Sequence, residues 1–327
     1  MNRRNAILGL IVIGAAPIIT KAQPSEIIWR IGYLGDGFSA TRASESLDPF
    51  REGLVKLGYI SGRNISLEVR WTEGKGERRA ELASELVRSN CNVIVTHGVL
   101  AARAVMQATT TIPIVVAVSA DFLDSGLVKS LARPGGNLTG MTDQVVDLAA
   151  KEVQLFKETL PRMQRLALMW DRESPTAARG AEESQAAARI LGLRVLPLLI
   201  SNSEDIERAF DSATKQRADA VIVMHSPLTV GLSGKIAQLA IRKRLPLMSA
   251  PTQFAEAGAL VSYGTDLTSY FRRAATFVDK ILKGAKPSDL PIEQPTKFEL
   301  VVNMKTANTL GIKIPGTVML RADRVIE

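Results

Sequence analysis

Apolar stretches of strand length alternate with amphipathic helical patterns along most of this chain. Each apolar stretch runs into polar or glycine-rich residues before the next helical pattern begins, which is typical of βαβ units. The alternation predicts an α/β fold in which helices cover both faces of a parallel sheet. The first series has predicted strands at Trp29–Leu34, Ile65–Trp71, Val93–Thr96, Ile114–Val118 and Leu138–Met141, and predicted helices at Ser46–Leu57, Glu77–Arg88 and Leu100–Ala108.

A second series follows in the same order, and the two resemble each other at matching points. A strand that runs into a histidine, His97 or His225, precedes a helix, and a proline then opens the next strand at Pro113 or Pro246. This coarse repeat predicts two similar, doubly wound parallel-sheet lobes in a chain of 327 residues. The second series has predicted strands at Leu166–Trp170, Arg194–Leu199, Ala220–Met224, Pro246–Ser249 and Ala259–Tyr263, and predicted helices at Leu148–Leu160, Thr176–Leu191, Glu204–Arg217 and Ser233–Arg244.

Small hydroxyl, acidic and histidine residues stand directly after the predicted strands. Open parallel sheets bind ligands beyond the carboxyl ends of their strands, so two facing sheets are expected to share one cleft. Hydroxyl groups and amides at helix N-termini suit an anionic head-group, although N-capping alone also favours Ser, Thr and Asp there. The predicted ligand contacts are Ser39, Thr96, His97 and Ser119 from the first lobe and Asp171, Ser226, Thr252 and Tyr263 from the second.

Aromatic residues near these loops are predicted to cover an apolar or planar part of the ligand. Tyr263, with Phe38 or Phe254, offers a large contact area at a small cost in conformational entropy. Asp171 is expected to accept a hydrogen bond from a cationic or amide group, which suits an amino acid.

The formal net charge of +8 raises the question of a nucleic-acid partner. Lysine and arginine mostly alternate with acids on the predicted helix faces, and aromatic residues make up only 5% of the chain. Because no basic run is interleaved with aromatic residues, no nucleic-acid partner is predicted.

Motifs for catalysis and for cofactors are sparse. The sequence has no Ser-His-Asp order, nucleophile elbow, phosphate loop or paired-carboxylate motif. His97 and His225 lack the spacing of a zinc site, and Cys91, the single cysteine, is interpreted as a structural residue beside a strand. The sequence therefore predicts no metal, no cofactor and no enzymatic activity. The alternative is a nicotinamide-dependent oxidoreductase, because Gly35-Asp-Gly-Phe-Ser-Ala40 formally fits G-x-G-x-x-A.

Residues 1–22 have the pattern of an export signal. Asn2-Arg3-Arg4 forms a positively charged start, the stretch from Ala6 to Ile19 is apolar, and Thr20-Lys21-Ala22 places small residues before a cleavage point. The apolar stretch is shorter than the roughly 20 residues that span a bilayer. We therefore expect cleavage near Ala22 and a periplasmic location, with a twin-arginine signal left open beside the general export route.

Several stretches resemble one family of proteins, most specifically in the C-terminal part. They are Gly258-Ala-Leu-Val-Ser-Tyr-Gly-Thr-Asp266, Lys283-Gly-Ala-Lys-Pro-Ser-Asp-Leu-Pro291, Glu293-Gln-Pro-Thr-Lys-Phe-Glu-Leu300 and Arg321-Ala-Asp-Arg-Val-Ile-Glu327, with Pro134-Gly-Gly-Asn-Leu-Thr-Gly140 nearer the N-terminus. The family is that of ABC-transporter substrate-binding proteins related to the tryptophan/tyrosine-type binding proteins, with the type I periplasmic-binding fold.

The resemblance implies two lobes, joined by three hinge crossings, that close on a small-molecule solute. It also implies a monomer that delivers the solute to an ABC permease and its ATPase subunit in the inner membrane. The expected lobes are residues 27–141 with 267–293, and residues 142–266 with 294–327. A hinge crossing is expected at Gly264 and Thr265, where Gly264 would adopt unusual dihedral angles. A solute-sensing subunit of a membrane receptor would share these features and stays an alternative.

Two loops differ from the usual pattern of that family. Its members often have Asn-Pro where this chain has Asp171-Arg172, and Gly-Asp-Pro in the loop where this chain has Ser119-Ala120-Asp121. Both loops are predicted to line the cleft, so the solute is not restricted to an aromatic amino acid.

Overall fold

The computed structural model describes residues 28–37, 46–120, 122–295 and 297–327, and these contain two β-sheets. The strands of the first sheet are β1 (Trp29–Gly35), β2 (Ile65–Trp71), β3 (Val93–Thr96), β4 (Ile114–Ser119) and β5 (Leu138–Thr142). They lie in the order β2-β1-β3-β4-β5, and every neighbouring pair is parallel. The helices between them are α1 (Asp48–Lys56), α2 (Arg79–Arg88) and α3 (Val99–Ala108).

The second sheet is built mainly from the second half of the chain. Its strands are β6 (Arg165–Asp171), β7 (Arg194–Ile200), β8 (Ala220–Val223), β9 (Leu247–Ser249), β10 (Val261–Gly264), β11 (Glu299–Asn303) and β12 (Arg324–Ile326). The helices of this half are α4 (Val145–Thr159), α5 (Pro175–Ile190), α6 (Asp205–Lys215), α7 (Pro227–Gly231), α8 (Ser233–Arg242), α9 (Thr252–Ala257), α10 (Leu267–Leu282), α11 (Met304–Leu310) and α12 (Gly316–Met319).

The predicted fold class, two α/β lobes with parallel sheets, is confirmed. The strand order of the second sheet is β12-β11-β10-β9-β8-β6-β7. It is parallel from β7 to β10, but β11 runs antiparallel to β10, and β12 runs parallel to β11. The C-terminal part of the chain therefore adds a reversed edge that the βαβ pattern does not predict.

The central strands read as continuous apolar runs because both of their faces are covered. Every residue of β3, β4 and β8 is buried. A parallel sheet with helices on both faces has no solvent-facing side, so the strand sequence shows no alternation of apolar and polar residues. The predicted strands Ile65–Trp71 and Val93–Thr96 coincide with β2 and β3.

Helix α10 packs against the first sheet, although the strands on either side of it along the chain, β10 and β11, belong to the second. Gly53 of α1 faces α10 so closely that a Cβ atom at this position would lie 2.5 Å from the Arg272 carbonyl oxygen and 2.8 Å from Ala275 Cβ. The Tyr59 hydroxyl also donates a hydrogen bond to Asp279 Oδ1 at 3.0 Å. Lobe 1 is therefore the first sheet with α1, α2, α3 and α10, and lobe 2 is the second sheet with its helices.

Within the described ranges, the chain passes between the lobes in three segments. These are residues 142–145 after β5, residues 264–267 between β10 and α10, and residues 293–299 before β11. The second and third crossings exist because α10 leaves the second sheet and packs on lobe 1. The exact residue bounds that the sequence predicts for each lobe stay a prediction.

Gly53→Ala should destabilise the protein because the added methyl group does not fit between α1 and α10. Overpacking of this kind costs about 1–3 kcal/mol, which would lower the urea midpoint followed by far-UV circular dichroism. The matched control is Gly234→Ala in α8, where a Cβ atom would meet nothing within 4 Å. Alanine should stabilise that helix by about 1 kcal/mol. Similar changes in the two variants would contradict close packing of α10 on α1.

Candidate functional site

A cavity with about 910 Å³ of empty space, part of it open to solvent, lies where the strand ends of the two lobes meet. The lobes approach each other closely here, since a Cβ atom on Gly98 of lobe 1 would lie 3.5 Å from Pro227 Cγ of lobe 2. Lobe 1 contributes the polar lining residues Asp36, Arg79, His97 and Ser119, and lobe 2 contributes Asp171, Glu173, Ser174, Thr176, Ser201, His225 and Ser226.

The lobe 1 side of the cavity offers hydrogen-bond donors. Helix α3 begins at Val99, and its first residues line the cavity, so the amides of its N-terminal turn and the positive end of its dipole face this space. Ser119 ends β4 beside it and is 3% exposed, and its Oγ has no hydrogen-bond partner within the described part of the chain. A buried hydroxyl without a partner beside a helix N-terminus suits an anionic group of a ligand.

Contacts within lobe 1 fix the orientation of the His97 side chain. The Asp36 amide donates a hydrogen bond to His97 Nε2 at 3.2 Å, so the proton of the imidazole is on Nδ1. The ring also makes an edge-to-face contact with Phe271 of α10, with centroids 5.5 Å apart. His97 therefore links the end of β3 to the helix that returns from lobe 2.

The lobe 2 side offers a carboxylate. Asp171 ends β6, is 8% exposed, and its Oδ1 accepts a hydrogen bond from the Glu173 amide at 3.0 Å. Burial raises the pKa of Asp171, while the hydrogen bonds from the Glu173 amide and the Ser226 hydroxyl act in the opposite direction. A desolvated carboxylate at a cavity wall gains from a cation placed beside it, since the cation offsets the cost of burying the charge.

An arginine connects the two sides of the cavity. Arg79, the first residue of α2, has its Nε 2.8 Å from Oδ2 of Asp36, which is itself 4% exposed. A second guanidinium nitrogen of Arg79 lies 3.9 Å from Glu173 Oε2, which belongs to lobe 2. The Thr72 hydroxyl also donates to Asp36 Oδ1 at 3.0 Å. Asp36, which is buried, and Arg79, which is half-buried, therefore form an ion pair in lobe 1, and Arg79 reaches across the cleft.

Neither Asp36 nor Arg79 is among the predicted contacts. Asp36 lies inside the stretch Gly35–Ala40, which formally fits a glycine motif for a dinucleotide. Arg79 does not stand out in the sequence because charges alternate along that helix. A usable signal did exist, since a cation in the first turn of a helix is disfavoured by the helix dipole.

The structure brings four of the predicted ligand contacts together. His97, Ser119, Asp171 and Ser226 all line the cavity. Thr96 does not, because it is fully buried within the first sheet and its hydroxyl donates to the Leu34 carbonyl at 3.0 Å. Ser39 lies outside the described residues.

The remaining predicted contacts of lobe 2 lie away from the cavity lining. Thr252 is 2% exposed and starts α9. The Tyr263 ring packs against Phe298 with centroids 6.2 Å apart, and Phe254 is fully buried in a hydrophobic core. Apolar lining comes instead from residues that include Leu228 and Leu267. The predicted aromatic cover thus has no counterpart among the described residues that line the cavity, and Phe38 lies outside them.

The structural requirement for a glycine at position 264, in the second crossing, differs from the predicted one. Gly264 does not have a positive φ angle. A Cβ atom on Gly264 would instead overlap the Ala250 carbonyl oxygen. Close approach of two backbones, rather than unusual dihedral angles, therefore excludes a side chain here. Thr265 beside it is 5% exposed and lines the same surface pocket as Tyr270 and Arg273.

A buried acid lies behind the cavity wall at the first crossing. Asp143 is fully buried, and its Oδ2 is 3.2 Å from His225 Nδ1. The contact is poorly aligned for a hydrogen bond, and neither carboxylate oxygen of Asp143 has such a partner among the described residues. His225 thus joins the cavity lining to the segment that connects the lobes.

The cysteine has no place in this cavity. Cys91 is 5% exposed between strands and helices of lobe 1, and burial raises the pKa of its thiol to about 11. A thiol in this state is a poor nucleophile at neutral pH. Among the described residues, no group of three or more His, Cys, Asp or Glu side chains is suited to a metal ion. No helix in those same ranges has the length and apolar character needed to cross a membrane.

Comparisons with known proteins agree on one family. The model of the family described as ABC transporter substrate binding protein matches residues 41–326. The tyrosine-binding protein of Clostridioides difficile (strain R20291) is 24% identical over 282 residues, which cover 85% of this chain and 81% of that protein.

Two solved structures extend the likeness to the fold. A conserved domain protein from Vibrio cholerae is 26% identical with a TM-score of 0.82, and the match covers 91% of this chain and 99% of that chain. An ABC domain from Streptococcus pneumoniae in complex with L-Trp is 25% identical with a TM-score of 0.80, and the match covers 90% of this chain and 100% of that chain. Both share the type I periplasmic-binding architecture of two α/β lobes. With a family match over most of its length, this chain belongs to the family of ABC transporter substrate binding proteins.

Proposed function

We propose that this protein is the exported solute-binding component of an ABC importer and that its solute is an amino acid. In this role the monomer closes its lobes on the solute and presents it to a membrane permease, which works with an ATPase subunit. The protein itself carries out no chemical reaction. Two relatives whose names or titles mention an amino acid, the tyrosine-binding protein and the L-Trp complex, support this class of solute.

The observation that carries the proposal is the division of polar groups between the lobes. Lobe 1 presents the N-terminus of α3 and the unpartnered hydroxyl of Ser119, which are donors. Lobe 2 presents the desolvated carboxyl group of Asp171, an acceptor. An amino acid carries a carboxylate and an ammonium group on one carbon, so it complements both walls at once.

Closure follows from this division. Each lobe alone satisfies one end of the zwitterion, so the solute binds most tightly when both walls are in reach. A ligand shifts a conformational equilibrium only by its difference in affinity between the states. The Arg79–Glu173 contact across the cleft adds an interlobe attraction in the same arrangement. The three crossings are the segments in which a hinge motion would occur.

Binding of L-tyrosine, L-tryptophan and L-phenylalanine should be measured by thermal shift and calorimetry. A ligand at 100 times its dissociation constant adds about 2.7 kcal/mol of stability. Ser119→Ala and Asp171→Asn should each weaken binding about tenfold or more, because the first removes a donor to the solute's carboxylate and the second removes the negative charge that faces its ammonium group.

The matched controls for these variants are Ser84→Ala and Asp211→Asn, at residues that do not line the cavity. The controls should bind as the wild type does. The proposal fails if none of a full set of amino acids binds. If amino acids bind but neither Ser119→Ala nor Asp171→Asn weakens binding, the assigned zwitterion contacts are wrong.

Export with removal of residues 1–22 is the second part of the proposal to test. The protein expressed with its leader should appear in the periplasmic fraction with Gln23 as its first residue, as read by N-terminal sequencing. Ala22→Lys should leave the leader attached, because signal peptidase requires a small residue before the cleavage point. An intact leader on the exported wild-type protein would refute the cleavage.

A further inference from the structure

A small side cavity lies behind one wall of the main cleft, in lobe 2. It has about 250 Å³ of empty space, part of it open to solvent, and shares Thr176 and His225 with the lining of the main cavity. These two residues therefore form the boundary between the spaces. The other walls are mostly apolar and include Val145, Ala177 and Met224.

One ionisable residue, Glu152 of α4, also lines this side cavity. Its side chain is 3% exposed, and its Oε1 has no hydrogen-bond partner within the described part of the chain. Burial raises the pKa of Glu152 to about 8, and no neighbouring cation offsets the effect. The carboxyl group is therefore mostly neutral at pH 7, so it has both a donor and an acceptor to offer.

Packing of α4 does not explain an acid at this position. A buried polar atom without a partner costs about 1–3 kcal/mol, whereas leucine or methionine would fill similar space on a helix without that cost. Buried polar groups in native proteins are nearly always satisfied. Glu152 therefore has a free hydrogen-bonding position, which a group that enters from the adjoining cleft can use.

We propose that the side cavity is a specificity subsite in which Glu152 hydrogen-bonds the uncharged polar tip of the solute's side chain. This inference rests on the proposed amino-acid-binding function and adds the class of side chain. The apolar walls favour a planar or aliphatic body, and the small volume admits only the tip. Gly180, which has no side chain, also lines this space. Phenol hydroxyl and indole N–H groups have the required chemistry.

Reaching the side cavity requires the boundary to admit a side chain from the main cleft. His225 lines both spaces, its side chain is 14% exposed, and its contact with Asp143 is 3.2 Å and poorly aligned. The position of the His225 side chain therefore decides how the side cavity connects with the main cleft.

The test compares L-tyrosine, L-tryptophan and L-phenylalanine by calorimetry on the wild type, Glu152→Leu and Glu152→Gln. The wild type should bind L-tyrosine or L-tryptophan about tenfold more tightly than L-phenylalanine, as one additional hydrogen bond allows. Glu152→Leu should reduce this ratio to within about twofold while keeping the affinity for L-phenylalanine. Glu152→Gln retains a donor and an acceptor and should keep most of the preference. Glu158→Leu on the same helix is the control: it removes an ion pair with Arg321 away from both cavities and should leave this ratio unchanged.

The melting temperature without ligand separates a binding role from a structural one. Glu152→Leu should melt at the same or a higher temperature than the wild type, because it removes an unpartnered buried carboxyl group. If Glu152→Leu keeps the wild-type preference for L-tyrosine or L-tryptophan over L-phenylalanine, the subsite is wrong while the proposed function stands. If L-lysine or L-arginine binds more tightly than L-tyrosine, the claim that the subsite selects an uncharged polar tip is wrong. If the wild type binds no amino acid, the proposed function fails and the subsite fails with it.

Discussion

The contact between α1 and α10 holds α10 on lobe 1 and so gives the chain its second and third crossings between the lobes. Helix α10 follows the last parallel strand of lobe 2, yet it packs on lobe 1, where Gly53 allows the Arg272 backbone to approach. A helix that stayed with its own sheet would leave a single connection and no fixed cleft. The missing side chain of one glycine thus permits the packing on which the paired crossings and the shared cavity depend. Interiors packed to crystal density leave no room for even one added methyl group at such a contact.

Polar groups of the cavity lining lack some of their hydrogen-bond or ion-pair partners within their own lobe. Ser119 lacks a partner and Asp171 is desolvated, while Arg79 belongs to lobe 1 and reaches Glu173 of lobe 2. Buried groups that lack partners cost free energy, and a solute that satisfies them recovers it. In the proposed function, a bound solute offsets this cost. In the proposed subsite, Glu152 meets the side chain of the solute rather than its zwitterionic end.

Four of the eight predicted contacts line the cavity, and the reason for their position lies in how strands end. His97, Ser119, Asp171 and Ser226 follow strands at the sheet edge that faces the other lobe, so the rule for open α/β sheets is sufficient for them. It fails for Thr96 and Tyr263 because successive residues of a strand point to opposite faces. Thr96 turns into the first sheet, and Tyr263 turns toward Phe298. Whether a terminal residue faces the ligand depends on where the strand stops, which a sequence pattern locates only to within a residue or two.

The sequence by itself determined the two series of βαβ units, their strands and the family. Periodicity and turn residues are local properties, and strands such as Ile65–Trp71 were placed correctly from them. The tertiary structure alone decided which residues from distant segments meet. The Asp36–Arg79 and His225–Asp143 contacts join residues that are far apart in the chain. Glu152 lies on a helix and lines a cavity that other segments of the chain enclose. No local pattern encodes such contacts, because they arise from packing, and packing depends on the whole chain at once.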